Sequence, residues 1–164
     1  MSFSERGALL LVCALAGAEC GRAPSHGAGA EAPAMEVTYH HAGRAYPAPA
    51  SVLPRAQVDS MLREMLAGTD DVVRMFVNRE RIEMYRERET ALEIVFPAES
   101  TFHTATRGDV RADRIFLLMS VPDGHSVAIF HGTGAYFMPP LLNLRGREIL
   151  RRLEPRLQAL DPSP

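Results

Sequence analysis

Ile115-Phe116-Leu117-Leu118-Met119-Ser120-Val121-Pro122-Asp123-Gly124-His125-Ser126-Val127-Ala128-Ile129-Phe130-His131 is the stretch that decides the fold class. Two apolar runs rich in β-branched and aromatic residues flank Pro122-Asp123-Gly124, in which proline presets φ and Asp and Gly accept tight-turn geometry. The runs therefore read as an antiparallel hairpin over residues 115–131. A parallel pairing would need a long crossover, which so short a turn cannot supply.

Working outward, residues 91–96 read as a further strand, with Leu92, Ile94 and Phe96 on one side, Glu93 and Val95 on the other, and Pro97 as its end. Residues 72–77 and 82–85, separated by Asn78-Arg79-Glu80, suggest another hairpin, followed by a solvated turn at Arg86-Glu87-Arg88-Glu89. Glu80, Glu83, Glu87, Glu89 and Glu93 are expected to solvate these strands and turns. Residues 100–106 read as a polar edge and residues 111–114 as a charged connection.

Helical spacing occurs twice. After Pro54, the residues Val58, Met61, Leu62, Met65 and Leu66 fall on one face and Gly68 marks the stop. Ile149, Leu150, Leu153 and Leu157 propose a final amphipathic helix, which Pro155 should end or kink. The expected fold is α+β: an antiparallel sheet of about four or five short strands with an N-terminal and a C-terminal helix, both helices on one face and the other face solvated.

The start of the chain carries an address. Residues 8–18 form an apolar run too short to span a bilayer and ending in Ala16 and Ala18, the spacing of a signal-peptidase site. Residues 1–18 are thus read as a signal peptide. Residues 19–50 read as an Ala/Gly/Pro-rich tether with a short edge strand near 35–39, and residues 51–161 as a small α+β domain. Cys20, just beyond the apolar run, is a candidate for lipidation, although Gly17-Ala18-Glu19 matches a lipoprotein box only in its small residues. The expected location is extracytoplasmic, periplasmic or secreted, with an N-terminal lipid as a candidate membrane anchor. The chain has two cysteines, Cys13 and Cys20, so no disulfide or cysteine metal site can hold the residues after them.

All 18 basic residues are arginine, set against 20 Asp and Glu for a formal net charge of −2. That balance excludes nucleic acid as the main partner, although local arginine patches can still take an anion. No P-loop or dinucleotide glycine pattern is present and no metal-ligand spacing is complete, so no cofactor or metal is expected. The adjacent His40 and His41 would point in opposite directions on a strand.

Two segments carry candidate chemistry. In the first, His103 is a candidate general base, Asp109 its orienter and Arg107 an anion-binding group. In the second, His131, Gly132, Thr133, Gly134 and Tyr136 form a candidate ligand contact, where glycine backbone approaches an anion and Tyr136 gives an apolar lip. The leading functional expectation is an extracytoplasmic binding or interaction domain whose partner is a peptide, a small molecule or an envelope protein. A small hydrolase or lyase using a histidine base, and a structural envelope assembly protein, are the alternatives. Oligomeric state is left open.

Overall fold

In a computed structural model, the structure describes residues 34–161. The apolar run at residues 8–18 and Cys20 lie outside these residues. The described part is a mixed α/β unit built on an antiparallel sheet. Its elements in chain order are β1 (Glu36–His41), β2 (Arg44–Pro47), α1 (Arg55–Ala67), β3 (Asp71–Val72), α2 (Arg79–Arg88), β4 (Ala91–Thr104), β5 (Gly108–Leu118), β6 (Val127–Gly132), β7 (Leu141–Asn143), α3 (Gly146–Leu150) and α4 (Glu154–Gln158). The seven strands run β2-β1-β4-β5-β6-β7-β3, every neighbouring pair antiparallel.

The hairpin expected over 115–131 forms as β5 and β6, with Ile115 opposite His131 and Leu117 opposite Ile129. α1 also forms as its spacing implies: Pro54 caps its start, Gly68 its end, and Val58, Met61, Leu62, Met65 and Leu66 are buried. They pack with Leu92, Ile94, Ile115, Leu117 and Ile129 from the sheet and with Leu150, Leu153 and Leu157 from the C-terminal segment.

Several expectations are corrected. The sheet has seven strands rather than four or five, and the helices are distributed through the chain instead of standing at its two ends. The strand anticipated near 35–39 forms as β1, but it lies between β2 and β4 and not at an edge. The sheet thus takes up residues 36–47 from the stretch read as a tether. Pro97 does not end β4, because it sits in the register shift between Val95 and Ser100, where its missing N–H breaks no ladder bond. Residues 100–104 and 111–114 accordingly belong to the long β4–β5 ribbon. At the C-terminus the amphipathic segment divides into α3 and α4, and Pro155 falls in the first turn of α4, where its lost donor is harmless.

The largest correction concerns residues 82–85. They belong to α2, and of the anticipated hairpin only Val72 lies in a strand, the short β3 (Asp71–Val72) paired with β7 at the far edge of the sheet. Asn78 caps α2 by accepting the Arg81 N–H at 2.9 Å. Glu80 in the first turn and Arg86 and Arg88 in the last complement the helix dipole. Residues of α2 and the 133–138 segment thereby cover the sheet face expected to be solvated: Ile82 and Tyr136 pack with Phe116, Leu118 and Phe130 in a second apolar cluster.

Candidate functional site

Arg79, Ile82, Glu83 and Arg86 recur at offsets of three and four, so they share one face of α2. Opposite that face, the strand alternation of β4 aims Glu93 at the second apolar cluster, with Phe116 directly across the ladder. The Glu93 side chain is only 12 % exposed. A carboxylate there is costly unless its lone pairs are met.

They are met from β1, α2 and the loop between β6 and β7. The His40 Nε2–H donates to Oε2 at 3.0 Å from β1, and Arg86 of α2 donates through Nε to the same oxygen at 3.0 Å. A second Arg86 nitrogen contacts Oε1, which also accepts the Tyr136 hydroxyl at 2.9 Å. Arg86 reaches on to Glu83 at 2.7 Å. Burial by itself pushes the Glu93 carboxyl up, but the hydrogen bonds from His40 and Arg86, the Arg86 charge and the Tyr136 hydroxyl outweigh it, and the group is held at about 2. For Arg86 burial likewise opposes the charge, and Glu93 with Glu83 overcomes it, raising the guanidinium further. Tyr136 is raised first by burial and then by the Glu93 charge, so the phenol keeps its proton and donates.

Above this network lies a cleft of about 380 Å³. One wall is the α2 face just described, the opposite wall is Gly134, Ala135 and Tyr136, and Arg114 of β5 enters between them. Close backbone packing shapes the second wall. A Cβ on Gly132 would lie 1.9 Å from the Ala135 carbonyl oxygen, and Gly134 has φ +72°, a region open to glycine. Asp113 holds the turn in place by accepting the Gly134 N–H at 3.0 and 3.1 Å. The same carboxylate accepts Arg114 Nε at 2.7 Å. Its pKa is lowered, chiefly by the Arg114 hydrogen bond, with the Gly134 N–H adding to it and burial opposing.

The residues singled out from the sequence divide. Gly134 and Tyr136 line the cleft, Gly132 supports its turn, and Thr133 donates to Glu99 at 3.0 Å instead of facing the opening. His131 is buried in β6, on the side of Val127 and Ile129, away from the cleft; neither ring nitrogen has a hydrogen-bond partner among the described residues. Burial, with a smaller contribution from the Arg107 charge, lowers its pKa to about 4, so the ring is neutral. His103 and Asp109 do meet, with Nδ1 and Oδ1 3.0 Å apart across the β4–β5 register, but both side chains are largely exposed and Arg107 is exposed in the adjoining turn. None of these three lines the cleft.

His40 and His41 point apart as adjacent strand residues must: His40 toward Glu93, and His41 toward the Thr90 hydroxyl, 3.0 Å from Nδ1. Sequence reasoning missed Glu93, Arg86, Arg114 and Arg79. The available signal was Asn78 ahead of a segment of helix-forming Arg and Glu, in which Arg79, Ile82, Glu83 and Arg86 keep helical spacing. Glu93 itself carried no signal, since an acidic residue alternating with apolar ones reads as a solvated strand position.

Among the described residues no group of His, Cys, Asp and Glu is arranged to hold a metal ion, and no helix is long and apolar enough to cross a membrane. No family model, curated protein or solved structure matches this chain.

Proposed function

We propose that this protein is an extracytoplasmic binding domain that holds a small ligand in the cleft between α2 and the Gly134–Tyr136 turn. The observation that carries the reading is the cleft itself: a hollow of about 380 Å³, within the range of small-molecule sites, with both walls tied to one buried carboxylate. Such a tie keeps the opening preformed, which lowers the ordering cost of binding. The side chains facing it are arginines, Glu83, a tyrosine and apolar surface, with no activated nucleophile among them, so binding fits the groups present better than turnover does. The apolar run at residues 8–18 with Ala16 and Ala18 supports export, and Cys20 remains the candidate anchor.

Amide chemical-shift mapping of the mature protein against a small-molecule fragment library tests this. Saturable shifts should centre on Ile82, Glu83, Gly134 and Tyr136. A library that moves none of these resonances, or moves only those of another surface, would overturn the assignment. The histidine-base hydrolase reading draws on the His103–Asp109 contact alone. It requires His103→Ala to abolish turnover of a substrate while the fold is retained.

A further inference from the structure

We infer that the cleft selects a monocarboxylate, its charged head taken by Arg79 and Arg114 and its apolar body laid against Ile82, Ala135 and the Tyr136 ring. This rests on the binding reading above and adds the ligand's chemical class. Three guanidiniums border the cleft, but they are not equivalent. Arg86 is consumed by Glu93 and Glu83 and serves as scaffold.

Arg114 is different. Its Nε is held by Asp113, while its two terminal nitrogens have no hydrogen-bond partner among the described residues. Anchoring through Nε orients a planar fork whose remaining donors match the two oxygens of a carboxylate. Arg79 makes no hydrogen bond or ion pair among the described residues, and it stands at the start of the helical face that forms the wall. Most of the acceptors are engaged by contrast: both Glu93 oxygens and both Asp113 oxygens meet the donors named above, which leaves one oxygen of Glu83. The open donors of Arg79 and Arg114 therefore outnumber the one open acceptor, a balance that favours an anionic ligand over a cationic one.

Charge narrows the class further. Arg79, Arg86 and Arg114 are balanced by Glu83, Glu93 and Asp113, and Glu83 keeps one oxygen without a hydrogen bond at the rim. A single negative charge suits two free guanidinium forks, whereas the second charge of a phosphate monoester would meet Glu83 uncompensated. The apolar part of the lining gives the uncharged end of the ligand its place.

The test is a chemical-shift titration in low-salt, phosphate-free buffer with phenylacetate, phenylacetamide and phenyl phosphate on wild type, Arg79→Gln and Arg114→Gln. Phenylacetate should shift the Ile82, Gly134 and Tyr136 amides and bind about tenfold more tightly than the neutral amide, the factor expected of charge-assisted hydrogen bonds. Each glutamine variant should remove most of that advantage, weakening phenylacetate several-fold more than phenylacetamide. Unchanged thermal unfolding of Arg79→Gln, an exposed position, serves as the folding control. If acid and amide bind alike and the variants change nothing, the cleft binds ligands without reading charge, and the inference falls while the binding reading stands. Tighter binding of phenyl phosphate overturns the monocarboxylate class. If no probe moves the cleft resonances, both the inference and the reading fall.

Discussion

Glu93 and His131 stand on opposite faces of the same sheet, both largely withdrawn from water, and they are treated in opposite ways. Glu93 is met by His40, Arg86 and Tyr136 from two elements and a loop and keeps its charge. His131 is met by nothing among the described residues and loses its charge instead. The face around His131 is organised by hydrocarbon, with α1 and the C-terminal segment packed on Leu92, Ile94, Leu117 and Ile129. The face around Glu93 is organised by a polar network with an open cleft above it. Burial alone does not mark a functional side chain; burial with a full set of partners, beside a hollow, does so better.

The comparison breaks most sharply at Glu93. Glu93→Ala would strand the Arg86 guanidinium and the His40 ring in a partly buried site, and a loss of about 3–5 kcal/mol in urea unfolding is expected. On the apolar face, Leu62→Ala removes a fully buried side chain and should cost about 3 kcal/mol by the same measurement. The two differ in kind as well. The Leu62→Ala penalty should be nearly independent of pH, while the Glu93→Ala penalty should shrink in acid as the wild-type carboxylate protonates. Because the folded-state pKa of Glu93 is lowered to about 2, its contribution is present above the usual carboxylate range and is lost as pH falls through that range toward 2. Equal pH dependence of the two penalties would contradict this picture.

His131 sharpens the contrast at milder pH. Its folded pKa of about 4 lies below the ordinary 6.5, so the unfolded chain binds the proton more readily. Stability attached to the neutral ring is present above pH 6.5 and is lost between 6.5 and 4, up to about 3 kcal/mol. The groups acting on the ring are its apolar surroundings and the Arg107 charge, both disfavouring protonation. His131→Leu should flatten that limb of the stability profile and, by removing two unpaired nitrogens, leave stability at pH 7 unchanged or about 1 kcal/mol higher. A variant with the wild-type acid limb would show that the drop comes from elsewhere. The smallest effect is expected at Arg79, where Gln should change stability by less than about 0.5 kcal/mol.

The two faces also differ in how far they were legible. α1 was readable because Val58, Met61, Leu62, Met65 and Leu66 announce their own face within one turn or two. The 115–131 hairpin was readable because its turn and both arms are contiguous. α2 was not, because its apolar content is little more than Ile82, Met84 and Tyr85, a short run that fits a strand equally well, and tertiary contacts decided it. Glu93 draws its partners from residues 40, 86 and 136, and no local pattern connects them. Gly134 and Tyr136 were reachable as a glycine turn beside an aromatic lip. The arginine side of the cleft was hidden because charged residues on a surface helix resemble a solvated face until the opposite wall is known.

The central claim is that Glu93 ties the two walls of the cleft together, and hydrogen–deuterium exchange on Glu93→Gln tests it most directly. The variant keeps the side-chain shape and removes the charge. Protection should fall together in α2 and in the Gly134–Tyr136 turn, while amides of β5 and β6 around Leu117 and Ile129 stay protected. Exchange in α2 unchanged from wild type, or loss in α2 without loss in the turn, would contradict a shared anchor.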